Sequence, residues 1–320
     1  MTQRVAVIGA GVMGANHVRL AKVVPGIELV AVVDGDADRA TAATGGDAAI
    51  ATFGTVEELI EAKVCDAVVV AVPTPLHHAV AGACLDAGLH VLVEKPIAVT
   101  LDEADDLIAR AEAARVTLMV GHVERFNPVI IELAKLVGEP IHIEADRVGP
   151  FSSRVKDSVV LDLMIHDLDI VRMLAGSDVT EISGVARSVR SDEIDLASVH
   201  LTFADGTTAT LTASRLGQQK VRQVRVTELE SHIAADLIRQ DISVHRVAHV
   251  EYVAEGGTRY RQTGMVEVPF IETRGEPLAL ELTEFIAAID EGRAPLVDGR
   301  AGRSALDLVE RVHAAIAGSA

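Results

Sequence analysis

Short apolar runs alternate with amphipathic stretches along the first third of the chain, and the alternation predicts a repeating strand–helix fold. Arg4-Val5-Ala6-Val7-Ile8, Glu28-Leu29-Val30-Ala31-Val32-Val33, Asp66-Ala67-Val68-Val69-Val70-Ala71-Val72, Val91-Leu92-Val93 and Val116-Thr117-Leu118-Met119-Val120 are each bounded by turn residues. Their apolar positions are consecutive rather than alternating, which marks strands buried on both faces of a sheet. Between them the spacing turns helical. Val18, Leu20, Ala21 and Val24 follow a helical pattern, Thr55 caps a helix through Glu57, Glu58, Leu59 and Ile60, and Ala79 to Ala87 form another that closes at Gly88. Thr100 followed by Glu103 is a capping box. Repeated β–α units of this length specify a doubly wound parallel sheet.

Beyond Gly121 the pattern changes. Asn127-Pro128 leads into a helix through Leu136, Pro140 to Val148 reads as a strand, and Val160 to Ala175 is a strongly apolar helix. Val185 to Val189, Ala197 to Phe203, Thr208 to Ala213, Val221 to Val226, Ile233 to Leu237 and Val266 to Phe270 are β-rich, and several alternate apolar with polar residues. That alternation belongs to half-exposed antiparallel strands. Pro277 to Ile289 and Arg303 to Ile316 read as closing helices. The expected architecture is α/β: a parallel-sheet domain over residues 1–122, then an α+β domain over 123–320 on a large, mostly antiparallel open sheet, with the C-terminal helix packing back on the first domain.

Composition narrows the function classes. With 320 residues the chain exceeds what one core usually supports. A formal charge of −18 argues against nucleic acid or an anionic membrane as partner. No run of about eighteen apolar residues is present, so no membrane span is expected. Residues 1–4 lead straight into a strand without a signal-peptide pattern, which fits a cytoplasmic enzyme. Cys65 and Cys84 sit in apolar or helical contexts and read as buried free thiols. No metal site is expected.

The chemistry concentrates where strands end. Gly9-Ala10-Gly11-Val12-Met13-Gly14 follows the first strand and opens a helix, the setting a dinucleotide-binding GxGxxG motif requires. Its glycines make the tight turn and let backbone approach a pyrophosphate, which the helix N-terminus attracts. Asp34 ends the second strand about twenty residues on, where an acid binds the ribose 2′-OH and repels a 2′-phosphate. NAD is therefore favoured over NADP, although Arg39 stands nearby. Thr74, His77, Glu94, Lys95 and His122 also fall just after strand ends, on the edge where open α/β sheets bind ligands. Any one of them reads equally as a loop residue; five together do not. In the apolar helix, Asp162, His166 and Asp169 recur at i, i+4 and i+7 and share a face. An acid four residues before a histidine orients and charges an imidazole.

Taken together, the chain resembles the Gfo/Idh/MocA oxidoreductase family. The resemblance is carried by Gly9 to Gly14, Glu94-Lys95-Pro96, Asp162-x-x-x-His166 and the closing Asp298-Gly299-Arg300. It implies an NAD-binding Rossmann domain, a second domain whose open sheet forms homodimers or homotetramers, and Lys95 and His166 as the catalytic pair, with Asp162 supporting the substrate and His166. Gly9, Gly11, Val12, Met13, Gly14, Asp34, Thr74, His77, Glu94, Lys95 and Arg125 are the expected cofactor contacts.

A narrower resemblance, to the branch that oxidises nucleotide sugars such as UDP-N-acetylglucosamine at C3, rests on Gly121-His122-Val123-Glu124-Arg125-Phe126-Asn127-Pro128, Arg147-Val148-Gly149-Pro150 and Val160-Leu161-Asp162-Leu163. It adds His122, Asn127, Arg154, Lys156, Asp162 and His166 as substrate contacts. Arg147, Arg154 and Lys156 are candidates to bind a diphosphate, and read equally as solvated cations. The same catalytic residues suit an inositol or other polyol dehydrogenase. A non-catalytic NAD-binding sugar sensor and a glycoside-cleaving enzyme that uses NAD transiently are further alternatives.

Overall fold

In the computed structural model, residues 2–152, 157–247, 250–254 and 257–317 are described. The chain divides into two compact units: residues 1–126 with 275–307, and residues 127–274 with 308–320. The sequence places its boundary at 122/123, so the chain divides four residues later. Residues 275–307 also return to the first unit.

The first unit is built from β1 (Gln3–Ile8), α1 (Val12–Ala21), β2 (Ile27–Val33), α2 (Ala37–Thr44), β3 (Ala51–Phe53), α3 (Val56–Ala62), β4 (Ala67–Val70), α4 (His77–Asp86), β5 (His90–Glu94), α5 (Leu101–Ala114) and β6 (Leu118–Gly121). Its six strands lie in the order β3-β2-β1-β4-β5-β6 and every pair is parallel. The order reverses at β1, and the adjoining strand ends open a crevice at that switch point. The apolar runs do what their composition requires: Val5 to Val7, Val68 to Val70 and Val91 to Val93 are fully buried. Both capping boxes, Thr55 with Glu58 and Thr100 with Glu103, are formed. The three-residue β3 carries no buried side chain, which is why it has no periodicity to read.

The second unit begins with α6 (Pro128–Leu136) and β7 (His142–Val148), followed by α7 (Ile165–Ala175). Then come β8 (Val179–Arg187), β9 (Leu196–Phe203), β10 (Thr208–Ser214), β11 (Val221–Thr227), β12 (His232–Asp236), β13 (Asp241–Arg246), β14 (Val250–Val253), β15 (Arg259–Gln262) and β16 (Met265–Glu267). Eight of these form one sheet in the order β16-β13-β12-β11-β7-β10-β9-β8, while β14 and β15 pair separately. All its pairings are antiparallel except β7 with β10. One face is buried and the other half-exposed, as the alternation in β7, β9 and β10 predicts. The helices α8 (Pro277–Glu291) and α9 (Gly299–Ile316) close the chain; α8 belongs to the first unit, and α9 passes from the first unit into the second.

Three of the boundaries that differ from the sequence reading have a clear physical cause. β8 starts at Val179 and ends at Arg187, whereas the apolar pattern points to 185–189; its residues are mostly exposed, so the pattern there is weak. β16 covers only Met265–Glu267, and the hydrophobic stretch through Phe270 leaves the sheet. The helix expected over 160–175 is α-helical only from Ile165; Val160–Met164 is wound as a wider π turn.

Among the described residues no helix is long and apolar enough to cross a membrane. Both cysteines are buried free thiols, and burial pushes Cys65 up to about 11 and Cys84 to about 12.

Candidate active site

The glycine turn is shaped by close packing. Gly9 has φ +95°, and a Cβ built there would stand 2.6 Å from the Ala71 carbonyl oxygen. A Cβ on Gly14 would stand 1.7 Å from the Gly9 carbonyl oxygen, so α1 packs against β1 only because Gly14 has no side chain. Gly11 faces open space and is the N-cap of α1, with no side-chain cap bond. The first N–H groups of this helix are therefore presented to a ligand rather than to a capping side chain.

A cavity of about 690 Å³ opens at these strand ends. That volume suits a cofactor-sized ligand. Gly9, Gly11, Val12, Met13, Asp34, Thr74, His77, Glu94 and Lys95 line it, bringing together nine of the eleven expected cofactor contacts. Gly14 works one layer back, against Gly9. Arg125 lies in the short turn Val123–Phe126 and does not border the cavity.

Asp34 is held by the backbone. It accepts from the Ala10 N–H at 2.7 Å and the Asp36 N–H at 2.9 Å. Arg39 also lines the cavity, but it is tied to acids: 3.3 Å from Asp34 and 3.1 Å from Asp36. His77 is buried with Nδ1 2.8 Å from the Pro96 carbonyl and Nε2 2.9 Å from the Val72 carbonyl. It ties the turn after β4 to the Glu94-Lys95-Pro96 turn after β5. Burial pushes the His77 imidazole below its usual value. Lys95 is half-buried at the cavity wall.

Glu94 is buried and bonded to His17 of α1, Nε2 to Oε1, at 2.7 Å. Gly121, its partner across β5–β6, makes room for it: a Cβ there would meet Glu94 Oε2 at 3.2 Å. Glu281 of α8 completes this group. No spacing rule connects His17 or Glu281 with the strand-end residues. The available signal was an acid on the apolar stripe Leu278, Leu282, Phe285 and Ile286.

In the second unit, Asp162 lies on the π turn and His166 one residue into α7, both half-buried. π turns recur at functional sites. Asp169 is fully buried instead. Arg147 is not available to a diphosphate: it is buried and grips Asp167 through two bonds of 2.8 Å. A guanidinium spent on a buried bidentate pair holds its helix in place rather than a ligand. Asn127 caps α6, its Oδ1 accepting from the Val129 N–H at 3.1 Å. His122 is buried at the end of β6. Arg154 and Lys156 lie outside the described residues.

The chain entering the π turn is anchored by a second buried pair. Arg215 reaches the Asp157 and Ile194 carbonyls and lies 3.5 Å from Asp195. Burial alone would raise the Asp195 carboxyl, but the N–H groups of Arg190, Val189 and Ser191 and the Ser191 hydroxyl outweigh it and hold it at about 2.

A doubly wound sheet with this glycine turn, an acid at the end of β2 and a lysine at the end of β5 is the architecture of a dinucleotide-binding oxidoreductase. The family model described as "Oxidoreductase family, NAD-binding Rossmann fold" matches residues 3–122, and the "GFO/IDH/MocA C-terminal domain" matches 134–228. The chain belongs to the Gfo/Idh/MocA oxidoreductase family. It is 33% identical to UDP-N-acetylglucosamine 3-dehydrogenase of Acidithiobacillus ferrooxidans, over 98% of this chain and 97% of the relative. A solved structure of that protein superposes with a TM-score of 0.89, at 31% identity, covering 99% of this chain and 98% of the other. Myo-inositol 2-dehydrogenase of Thermotoga maritima is 28% identical, over 95% of this chain and 93% of the relative.

Proposed function

We propose that the protein oxidises a secondary hydroxyl on a sugar ring to a ketone with NAD, and that C3 of UDP-N-acetylglucosamine is the hydroxyl. The observation that carries this reading is Lys95 at the wall of the cavity beside Glu94, in a chain similar over nearly its full length to an enzyme of that name. When bound, the nicotinamide supplies the hydride acceptor. Lys95 hydrogen-bonds the reacting oxygen and stabilises its developing negative charge, and His166 takes the hydroxyl proton. Asp162 orients the imidazole. Asp34 accepts from the ribose 2′-OH and repels a 2′-phosphate, and the acids that hold Arg39 keep it from offering a phosphate a free cation. These features favour NAD. Arg154 and Lys156 bind the diphosphate in this reading. The half-exposed face of the eight-stranded sheet is where copies of the chain associate.

The second reading is inositol or polyol oxidation, favoured by the similarity to inositol dehydrogenases over most of the chain. Initial rates of NADH formation with UDP-sugars, free sugars and inositols separate the two. The proposal expects a kcat/KM for UDP-N-acetylglucosamine far above the rest, reduced mainly through KM in an Arg154→Ala, Lys156→Ala variant. Efficient turnover of inositols with UDP-sugars ignored overturns it.

A further inference from the structure

A nitrogen of His17 and one carboxylate oxygen each from Glu94 and Glu281 lie within 4.8 Å of one another. All three residues are buried, and Glu281 has no exposed surface. Neither oxygen of Glu281 has a hydrogen-bond partner among the described residues, nor does Nδ1 of His17. Two carboxylates and an imidazole so close together hold either a cation or a proton.

Bond lengths decide between them. At about 2.0–2.2 Å from one metal ion, two tetrahedral ligands stand about 3.3 Å apart. His17 and Glu94 are 2.7 Å apart, which is a hydrogen bond. With His17 Nε2 as the donor in that bond, Glu94 is the anion of the group. An ionised Glu281 would then be a second buried carboxylate with no donor to solvate it, beside a like charge, which is among the least tolerable arrangements in a protein interior. A protonated Glu281 has an O–H to give, and the Glu94 carboxylate is the acceptor the group offers it. Burial and the charge of Glu94 both push Glu281 well above the usual carboxyl range.

We propose that Glu281 is a neutral carboxylic acid in the folded protein. Glu281 and His17 are positioning residues that keep Glu94 a single, fixed anion in the wall of the cofactor cavity. They act through Glu94 and do not themselves line the cavity. The group joins α1, which begins at the glycine turn, to β5, which ends at Lys95, and to α8. Its behaviour is independent of which sugar is oxidised, so its failure and that of the proposed substrate are separate results.

Infrared difference spectroscopy of the whole protein at neutral pH tests the proton directly. The wild type is expected to show a protonated-carboxyl carbonyl band that shifts in D₂O and is lost in Glu281→Gln. Elemental analysis of the same protein is expected to find no stoichiometric divalent metal. Glu281→Leu should weaken NADH binding at least about tenfold, because Glu94 loses a donor, and Glu281→Gln, which keeps one, should restore most of that loss. Absence of the band in wild type, a stoichiometric bound metal, or Gln behaving like Leu would each overturn the proposal; the first two need no variant to fold.

Discussion

The two units hold their polar residues in opposite ways. In the first, the cavity-lining groups stand at the ends of neighbouring strands of the sheet and are placed mainly by backbone: Asp34 by two N–H groups, His77 by two carbonyls. In the second, Asp162 and His166 sit on a π turn and the helix after it, around which buried ion pairs are spent on structure: Arg147 with Asp167, and Arg215 with Asp195. A site built from strand ends inherits its geometry from the sheet. A site built on an irregular turn must be braced by side chains distant in sequence.

The largest effect should fall on chemistry, and on both units alike. Lys95→Met and His166→Ala are each expected to lower kcat by about 10³-fold, or roughly 4 kcal/mol, while NAD affinity measured by fluorescence stays close to wild type. Near-normal turnover in either variant removes that residue from the mechanism.

The bracing in the second unit comes next. Breaking a buried pair leaves an uncompensated charge, so Arg147→Met should cost about 3 kcal/mol in denaturant unfolding. Arg147→Met with Asp167→Leu should recover much of that cost, because no charge is then stranded. Additive losses in the double variant would show that the pair is not one electrostatic unit.

Replacing Asp34 with Ser should change the cofactor more than the fold. The NAD over NADP preference in kcat/KM is expected to drop by about tenfold, near 1.4 kcal/mol, with little change in Tm. An unchanged preference would move discrimination elsewhere in the cavity.

The smallest effect is a pH dependence in the second unit. Asp195 is held at about 2 in the folded chain against 3.8 for a free side chain. Its folded value is depressed, so its stabilisation is complete above pH 3.8 and is lost as pH falls towards 2. Asp195→Asn should flatten the fall of Tm across that window. An equally steep fall would assign it to other carboxylates.

This contrast also explains what was legible in the sequence. Gly9 to Gly14, Asp34 and Glu94-Lys95 are tied to strand ends, and strands buried on both faces announce themselves as apolar runs. The Asp162–His166 spacing was visible, but the π turn was not, because the five residues 160–164 make little more than one turn and are too few for a side-chain pattern to tell i→i+5 from i→i+4 winding. β13 went unread because Asp241, His245 and Arg246 are exposed and leave few apolar positions. Arg147 reads as a cation for ligand because its partner Asp167 lies twenty residues away. His17, Glu94 and Glu281 come together only in the folded sheet, from positions that no spacing rule connects.

The most direct test of the central claim, a nicotinamide-linked sugar dehydrogenase acting through Lys95, is a single-turnover absorbance measurement. The protein is saturated with NAD and mixed with UDP-N-acetylglucosamine, and the sugar product is analysed in parallel. The expected result is NADH and ketosugar in equal amounts from wild type, and neither on the same timescale from Lys95→Met with NAD still bound. NADH formation by Lys95→Met at the wild-type rate, or none by wild type with any sugar while NAD is bound, would contradict it.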